Sequence, residues 1–297
     1  MTDIVLLDGS IGQELVARSG DRATPLWSTR VMMDHPEMVG AVHDDYFNAG
    51  ATIASTNTYA VHRSRLERVG LADQLPHLIQ TAIDQAEQAR ARHGGRIAGV
   101  LGPLLASYRP DLNPDPDDAA LKFGELVTLM APRVDLFLFE TVSSRQEAEG
   151  ALRATRGAGK PVWIALSVRD ENGTELRSGE KLSDIRPLLD RFNPDVVLLN
   201  CSRPEAVSQG MGILKTFGRP FGGYANGFKE ISAEFLKDAP TVDVLERRDD
   251  LTPATYADHV MSWVGEGATY VGGCCETGPD HIAEIATRLR GAGHRII

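Results

Sequence analysis

Apolar positions recur along the chain in two alternating rhythms. Short runs that are apolar at nearly every position read "IVLLDG", "ATIASTN", "RIAGVLG", "DLFLFE", "PVWIALS", "DVVLLNC", "PFGGYAN" and "ATYVGG". Between them lie longer stretches whose apolar residues recur with helical spacing. Strands apolar on both faces suit a parallel sheet covered on both sides. Eight strand–helix units in 297 residues predict a single-domain α/β fold over residues 1–297, a (β/α)8 or TIM barrel.

The intervening segments carry helix signals. Pro36 suits a first helical turn, and Met38, Val39, Val42, Tyr46 and Phe47 follow at helical spacing. Leu75, Leu78, Ile79, Ala82, Ile83 and Ala86 form a second stripe that Gly94 and Gly95 stop. Ser144 and Glu147 have capping-box spacing, and Thr252 with Pro253 reads as an N-cap and first turn. Two stretches break the rhythm. "SYRPDLNPDPDDAA" reads as a long surface loop and "NGFKEISAEFLKDAPTVDVLERRDDLTP" as an extended connection, both after strands, where barrel specificity resides.

Composition narrows the function. A net charge of −10 argues against nucleic acid and anionic membranes as partners, since both reward clustered Lys and Arg. No run approaches the roughly 20 apolar residues of a membrane span, and "MTDIVLLDGS" lacks the features of a secretory signal. The expectation is a cytoplasmic protein acting on small molecules. Three cysteines cannot all pair within one chain, and in a reducing compartment they suggest metal binding or catalysis.

Aligning the strands by their last residues gathers Asp8, Asn57, Glu140, Asn200, Cys201, Asn226, Cys274 and Cys275 at one rim. The C-terminal rim is where a parallel barrel builds its site. Neighbouring residues in a regular strand point to opposite faces, so Cys274 and Cys275 can address one metal only where the backbone turns. Gly272 and Gly273 are expected to permit that turn. Three thiolates would fill three corners of a tetrahedral zinc site, with the fourth open. Small buried cysteines that merely pack are the alternative.

A Cys₃ zinc is a weak activator of water but stabilises an incoming thiol as its nucleophilic thiolate. Asp8 and Glu140 could grip an ammonium group, while the amides of Gly9 and Ser10 could receive a carboxylate. The other reading makes Asp8 a helix N-cap and Glu140 the partner of an arginine. Ammonium, carboxylate and thiol together describe a thiol-bearing amino acid.

The segments "LLDGSIGQELVARSG", "STNTYA", "GPLLASYRPD", "LFETVSS", "LLNCSRPE", "GYANGF" and "VGGCCETGPDHI" together resemble the homocysteine S-methyltransferase family. That family shares its barrel with betaine–homocysteine methyltransferase and the first module of cobalamin-dependent methionine synthase. The resemblance implies zinc held by Cys201, Cys274 and Cys275, and Asp8 and Glu140 on the homocysteine ammonium. It also places Asn226 close to the metal when substrate is absent. The implied reaction moves a methyl group to homocysteine to give methionine. S-Methylmethionine and S-adenosylmethionine are the expected donors, with a betaine or a methylated corrinoid protein left open. A sulfonium or quaternary donor would favour aromatic faces, for which Tyr59 and Tyr108 are candidates. Two alternatives stand beside this reading: methylation of another small thiol or selenol, and a non-catalytic protein that binds a thiol metabolite.

Overall fold

The computed structural model describes residues 1–20, 26–232, 235–236 and 245–297. Its strands are β1 (Asp3–Leu6), β2 (Ile53–Ser55), β3 (Arg96–Leu101), β4 (Leu136–Val142), β5 (Val162–Leu166), β6 (Val196–Asn200), β7 (Phe221–Tyr224), β8 (Tyr270–Val271) and β9 (Arg295–Ile296). They pair in parallel in the order β2-β3-β4-β5-β6-β7-β8-β1-β9. The sheet curls into a TIM-like barrel. The amide of Thr52, just before β2, donates to the Leu6 carbonyl at 2.7 Å and brings the first two strands together.

Eight of these strands are the ones the apolar runs predict. β9 is an addition: Arg295 N–H donates to Thr2 and Ile297 N–H to Ile4, on the edge of β1 that faces away from β8. Side-chain alternation explains why the strands are apolar on both faces. Val5, Leu7, Val100, Leu136, Leu138, Ala165 and Leu198 fill the barrel interior, while Ile4, Leu6, Leu101, Phe137, Phe139, Ile164 and Leu199 pack outward under the helices.

Helices between strands follow the expected signals. α1 (Ile11–Ser19), α2 (Ser28–Asp34) and α3 (Pro36–Ala49) separate β1 from β2. α4 (Arg63–Glu67) and α5 (Leu75–His93) lead to β3, and the apolar stripe of α5 is fully buried. Ser144 caps α7 (Arg145–Ala154) through the Glu147 amide at 3.1 Å. The Glu147 carboxylate bonds instead to the Ser143 amide at 2.7 Å, one residue earlier than a capping box requires. Thr252 caps the helix over Pro253–Glu266 as expected.

The loop expected over "SYRPDLNPDPDDAA" ends early. Pro116 begins α6 (Pro116–Met130), and the Asp115 carboxylate accepts from the amides of Asp117 and Asp118, so the acidic, proline-led stretch starts a helix. The extended connection after β7 lies partly outside the described residues. Its described ends meet in an antiparallel bridge between Phe228 and Arg247. Among the described residues no helix is long and apolar enough to cross a membrane.

Candidate active site

The strand ends surround a cavity of about 560 Å³ at the C-terminal rim. Asp8, Gly9, Ser10, Glu140, Cys201, Cys274 and Cys275 all line it. The three sulfur atoms lie within 4.8 Å of one another, and none is in a disulfide. A tetrahedral metal at about 2.3 Å from each sulfur would space them by roughly 3.8 Å, so the triad fits a thiophilic divalent ion with little movement.

Two backbone devices build this triad. Strand alternation would turn Cys201 away from Asn200's face, but Cys201 takes φ +47°, in the left-handed region, as β6 ends. Its carbonyl is held by Ser167 Oγ at 3.3 Å and by the Arg177 guanidinium at 3.2 Å. Arg177 pairs bidentately with Asp170 at 2.9 and 3.0 Å, and Asp170 also accepts from the amides of Arg203 and Ile231. The second device is the turn after β8. There the Cys274 amide donates to Ala225, the Cys274 carbonyl accepts from Thr277 Oγ1 at 2.6 Å, and the Cys275 carbonyl accepts from the Gly227 amide.

The two preceding glycines act differently from expectation. Neither adopts positive φ; the turning residue is Glu276, at φ +63°. The glycines are needed for space. A Cβ on Gly273 would sit 2.0 Å from Thr277 Oγ1, and one on Gly272 would sit 2.7 Å from Leu7 Cβ. Among the described residues six non-glycine residues have positive φ, and Trp27, Tyr108, Thr141, Cys201 and Glu276 line or adjoin this cavity. Such conformations cost about 1–3 kcal/mol each and concentrate at functional sites.

Both carboxylates are buried or half-buried without an ion pair to a described cation. The Asp8 carboxylate accepts from the Ser55 amide at 2.6 Å and the Ser55 hydroxyl at 2.7 Å, so it is bound across to β2 and does not cap α1. Burial nevertheless pushes its pKa up to about 7, against those hydrogen bonds. Glu140 follows Leu136 and Leu138 on the inner face of β4, and the Tyr224 hydroxyl donates to it at 2.9 Å. Burial, reinforced by the charge of Cys201, raises Glu140 to about 8. Carboxylates held this far above their usual range are stabilised by an arriving cation.

Within the triad, hydrogen bonding from Cys274 and Cys275 pulls the Cys201 thiol well below its ordinary pKa, while the two donors are raised. The three thiols are thus linked to one another through hydrogen bonds that a bound cation would replace.

Other expected residues divide. The Ser10 amide donates to the Thr277 carbonyl at 3.0 Å and the Ser10 hydroxyl to Gln13, so Ser10 braces the turn after Cys275 and is not open to a carboxylate. Gly9 stays at the cavity wall, where a Cβ would lie 2.3 Å from the Thr277 carbonyl. Asn226 is buried just outside the lining. Its Oδ1 accepts from the Phe228 amide at 3.3 Å, and its Nδ2 has no partner among the described residues. Asn57 and Asn200 are structural: Asn57 binds Ser28 of α2, and Asn200 accepts from the Thr141 amide. Tyr59 lines the wall edge-on to Trp27, whereas one face of Tyr108 is covered by Arg177.

Ser55, Tyr224, Arg177 and Asp170 carried no expectation from the sequence. Ser55 and Tyr224 stand at strand ends already read, two residues before Asn57 and Asn226, so that position was their signal. Nothing local marks Arg177 and Asp170, whose pairing depends on how one loop folds back.

A family model described as homocysteine S-methyltransferase matches residues 5–289. A homocysteine S-methyltransferase of Escherichia coli (strain K12) is 29% identical over 96% of this chain and 95% of its own length. One from Bacillus subtilis (strain 168) is 27% identical over 97% and 95%. The crystal structure of the metallated form of the Escherichia coli homocysteine methyltransferase MmuM superposes with a TM-score of 0.82, at 26% identity over 97% of this chain and 96% of that one.

Proposed function

The chain belongs to the homocysteine S-methyltransferase family, and on that premise we propose that it acts over its whole length, 1–297, as a zinc-dependent enzyme methylating homocysteine to methionine. The observation that carries the zinc assignment is the convergence of Cys201, Cys274 and Cys275 within 4.8 Å at the cavity wall. Zinc bound there would lower the pKa of a thiol in the cavity, so that the thiolate is available at neutral pH.

The chain's own groups then position the substrates. Asp8 and Glu140 hold the homocysteine ammonium from two sides, and Ser55 and Tyr224 fix the two carboxylates. Gly9, at the cavity wall, lets the turn after β1 pack against the Thr277 carbonyl and the Tyr46 ring, where a Cβ would clash. Asn226, buried just outside the lining with an Nδ2 that has no partner among the described residues, is assigned to the metal's surroundings when substrate is absent. With homocysteine oriented, a sulfur–methyl bond forms as the donor's bond to that methyl breaks. The thiol proton leaves to solvent, and a sulfonium donor departs as a neutral thioether.

The cavity bears on the donor. A dry cavity of about 150 Å³ holds benzene, so about 560 Å³ accommodates homocysteine and a second small molecule. The aromatic wall of Trp27 and Tyr59 suits a sulfonium, and we assign S-methylmethionine or S-adenosylmethionine as donor. Three unbridged cysteines accord with work in the reducing cytoplasm.

The test is metal content of the purified chain, followed by methionine formation from homocysteine with each donor. About one zinc per chain and turnover with one sulfonium is the expected result. Reduced, folded protein that binds no zinc would overturn the assignment, and equal use of selenocysteine or cysteine would overturn homocysteine as acceptor.

A further inference from the structure

Cys275 is placed by the peptide plane that joins it to Glu276. A trans peptide sends its carbonyl and its N–H in opposite directions, and here each end is held. The Cys275 carbonyl accepts from the Gly227 amide at 2.8 Å, and the Glu276 amide donates to Oε1 of Gln13 at 2.7 Å. The plane is thereby pinned between the loop after β7 and the side chain of a residue on α1, 263 positions away. Turning it would change ψ of Cys275 and φ of Glu276, and swing the Cys275 sulfur relative to the rest of the turn.

Glu276 sits at φ +63°, which a residue with a Cβ adopts reluctantly. Its side chain is held by the same partner: Nε2 of Gln13 donates to Glu276 Oε1 at 2.6 Å. A backbone N–H can only donate, so Oε1 of Gln13 faces the Glu276 amide and Nε2 faces the carboxylate. The Ser10 hydroxyl donates to the same Oε1 at 2.8 Å and fixes the carboxamide in that orientation. The other Glu276 oxygen faces Arg247 at 3.6 Å, a contact too long and too exposed to set the turn.

We propose that Gln13 is a positioning residue of the metal centre: by gripping Glu276 at its amide and its carboxylate, it holds the left-handed turn that points the Cys275 sulfur at Cys201 and Cys274. The inference rests on the metal assignment above and extends it to a residue outside the cavity lining. The segment that follows β1 then has two tasks, with Asp8 facing the cavity and Gln13 securing a metal ligand from outside it. Glycine enters the left-handed region freely, so the need for Gln13 should disappear when Glu276 is replaced by glycine.

The experiment measures zinc affinity of the reduced full chain by competition with a chromophoric chelator, in a double-mutant cycle. Gln13→Ala should weaken zinc binding by about 10- to 100-fold, the range for losing a hydrogen bond to a charged group. In the Glu276→Gly background the same substitution should cost less than about threefold. The thiolate-to-metal absorption of the cobalt-loaded chain should fall in Gln13→Ala from that of three sulfurs towards that of two, and return in the double variant. Should Gln13→Ala fail to fold, exchanging the pair decides. Gln13→Glu alone sets two carboxylates against each other and should weaken zinc at least about tenfold, whereas Gln13→Glu with Glu276→Gln should return to within about threefold of wild type.

Equal losses from Gln13→Ala with and without Glu276→Gly, or no loss in either, would overturn the positioning role and leave the metal site standing. An exchanged pair no better than Gln13→Glu alone would do the same. Reduced, folded wild type that binds neither zinc nor cobalt would overturn the metal assignment, and this inference with it.

Discussion

The Asp8 carboxylate is gripped by a single residue of the next strand: Ser55 donates its amide to one oxygen at 2.6 Å and its hydroxyl to the other at 2.7 Å. This fixes the carboxylate plane across the β1–β2 junction and leaves the remaining lone pairs for the cavity. Ser55→Ala removes one donor and keeps the other. The expected result is a roughly tenfold weaker homocysteine affinity, from the loss of one hydrogen bond to a charged group, with metal content unchanged. Calorimetric titration of wild type and variant checks it, and equal affinities would show that the hydroxyl does not orient Asp8.

The elevated pKa of Asp8, about 7, makes amino-acid binding pH-dependent. An ammonium ligand needs the carboxylate ionised, and each pH unit below the free-site pKa costs about 1.4 kcal/mol, or tenfold in affinity. Methionine, which has the ammonium and no ionisable sulfur, should bind more weakly as pH falls below about 8, where Glu140 takes up its proton, and more steeply below about 7, where Asp8 follows. Asp8→Asn should bind weakly at every pH. A flat wild-type profile from pH 5.5 to 8 would remove Asp8 from the ammonium site. Stability responds with the opposite sign: the folded chain holds the Asp8 proton more tightly than the unfolded chain, so its contribution is greatest in acid and is lost as pH rises from about 4 to about 7.

Glu140 receives a donor from Tyr224 and faces the same ligand. Glu140→Gln preserves shape and removes the charge that an ammonium needs. Homocysteine affinity should fall by one to two orders of magnitude, as for loss of a charged hydrogen bond, while zinc content stays near one per chain. Unchanged affinity would leave Glu140 as a packing residue.

Cys274→Ala and Cys201→Ala each remove one of three sulfurs and should abolish metal retention through dialysis while the barrel stays folded by circular dichroism. Cys201 adds a backbone test, because its φ of +47° disfavours any residue with a Cβ. In the metal-free state Cys201→Gly should be more stable than Cys201→Ala by about 1 kcal/mol, measured by urea unfolding. Metal content like that of wild type in either alanine variant would refute the ligand assignment.

Gly273→Ala tests the turn without touching a ligand. Its Cβ would arrive 2.0 Å from Thr277 Oγ1, the atom that donates to the Cys274 carbonyl. The turn must move, so metal affinity should fall at least tenfold and stability by about 1–3 kcal/mol, as for overpacking a tight site. Gly212→Ala, where a Cβ meets nothing within 4 Å, is the control and should leave metal affinity unchanged.

Periodicity alone determined the architecture of this protein. Runs such as "DVVLLNC" are apolar on both faces because one face fills the barrel and the other meets helices, and that demand is local to each strand. The same alignment brought Asp8, Glu140 and the three cysteines to one rim, since a parallel barrel sends every strand end the same way. Tertiary structure decided how those residues face one another. Cys201 reaches the triad through a left-handed residue held by Arg177 and Ser167, and Cys275 through a turn at Glu276, where glycines 272 and 273 supply space alone. Ser10 proved to be a brace because its amide meets Thr277 from the far end of the chain. Such through-space partners depend on how distant segments fold together, which no local pattern encodes.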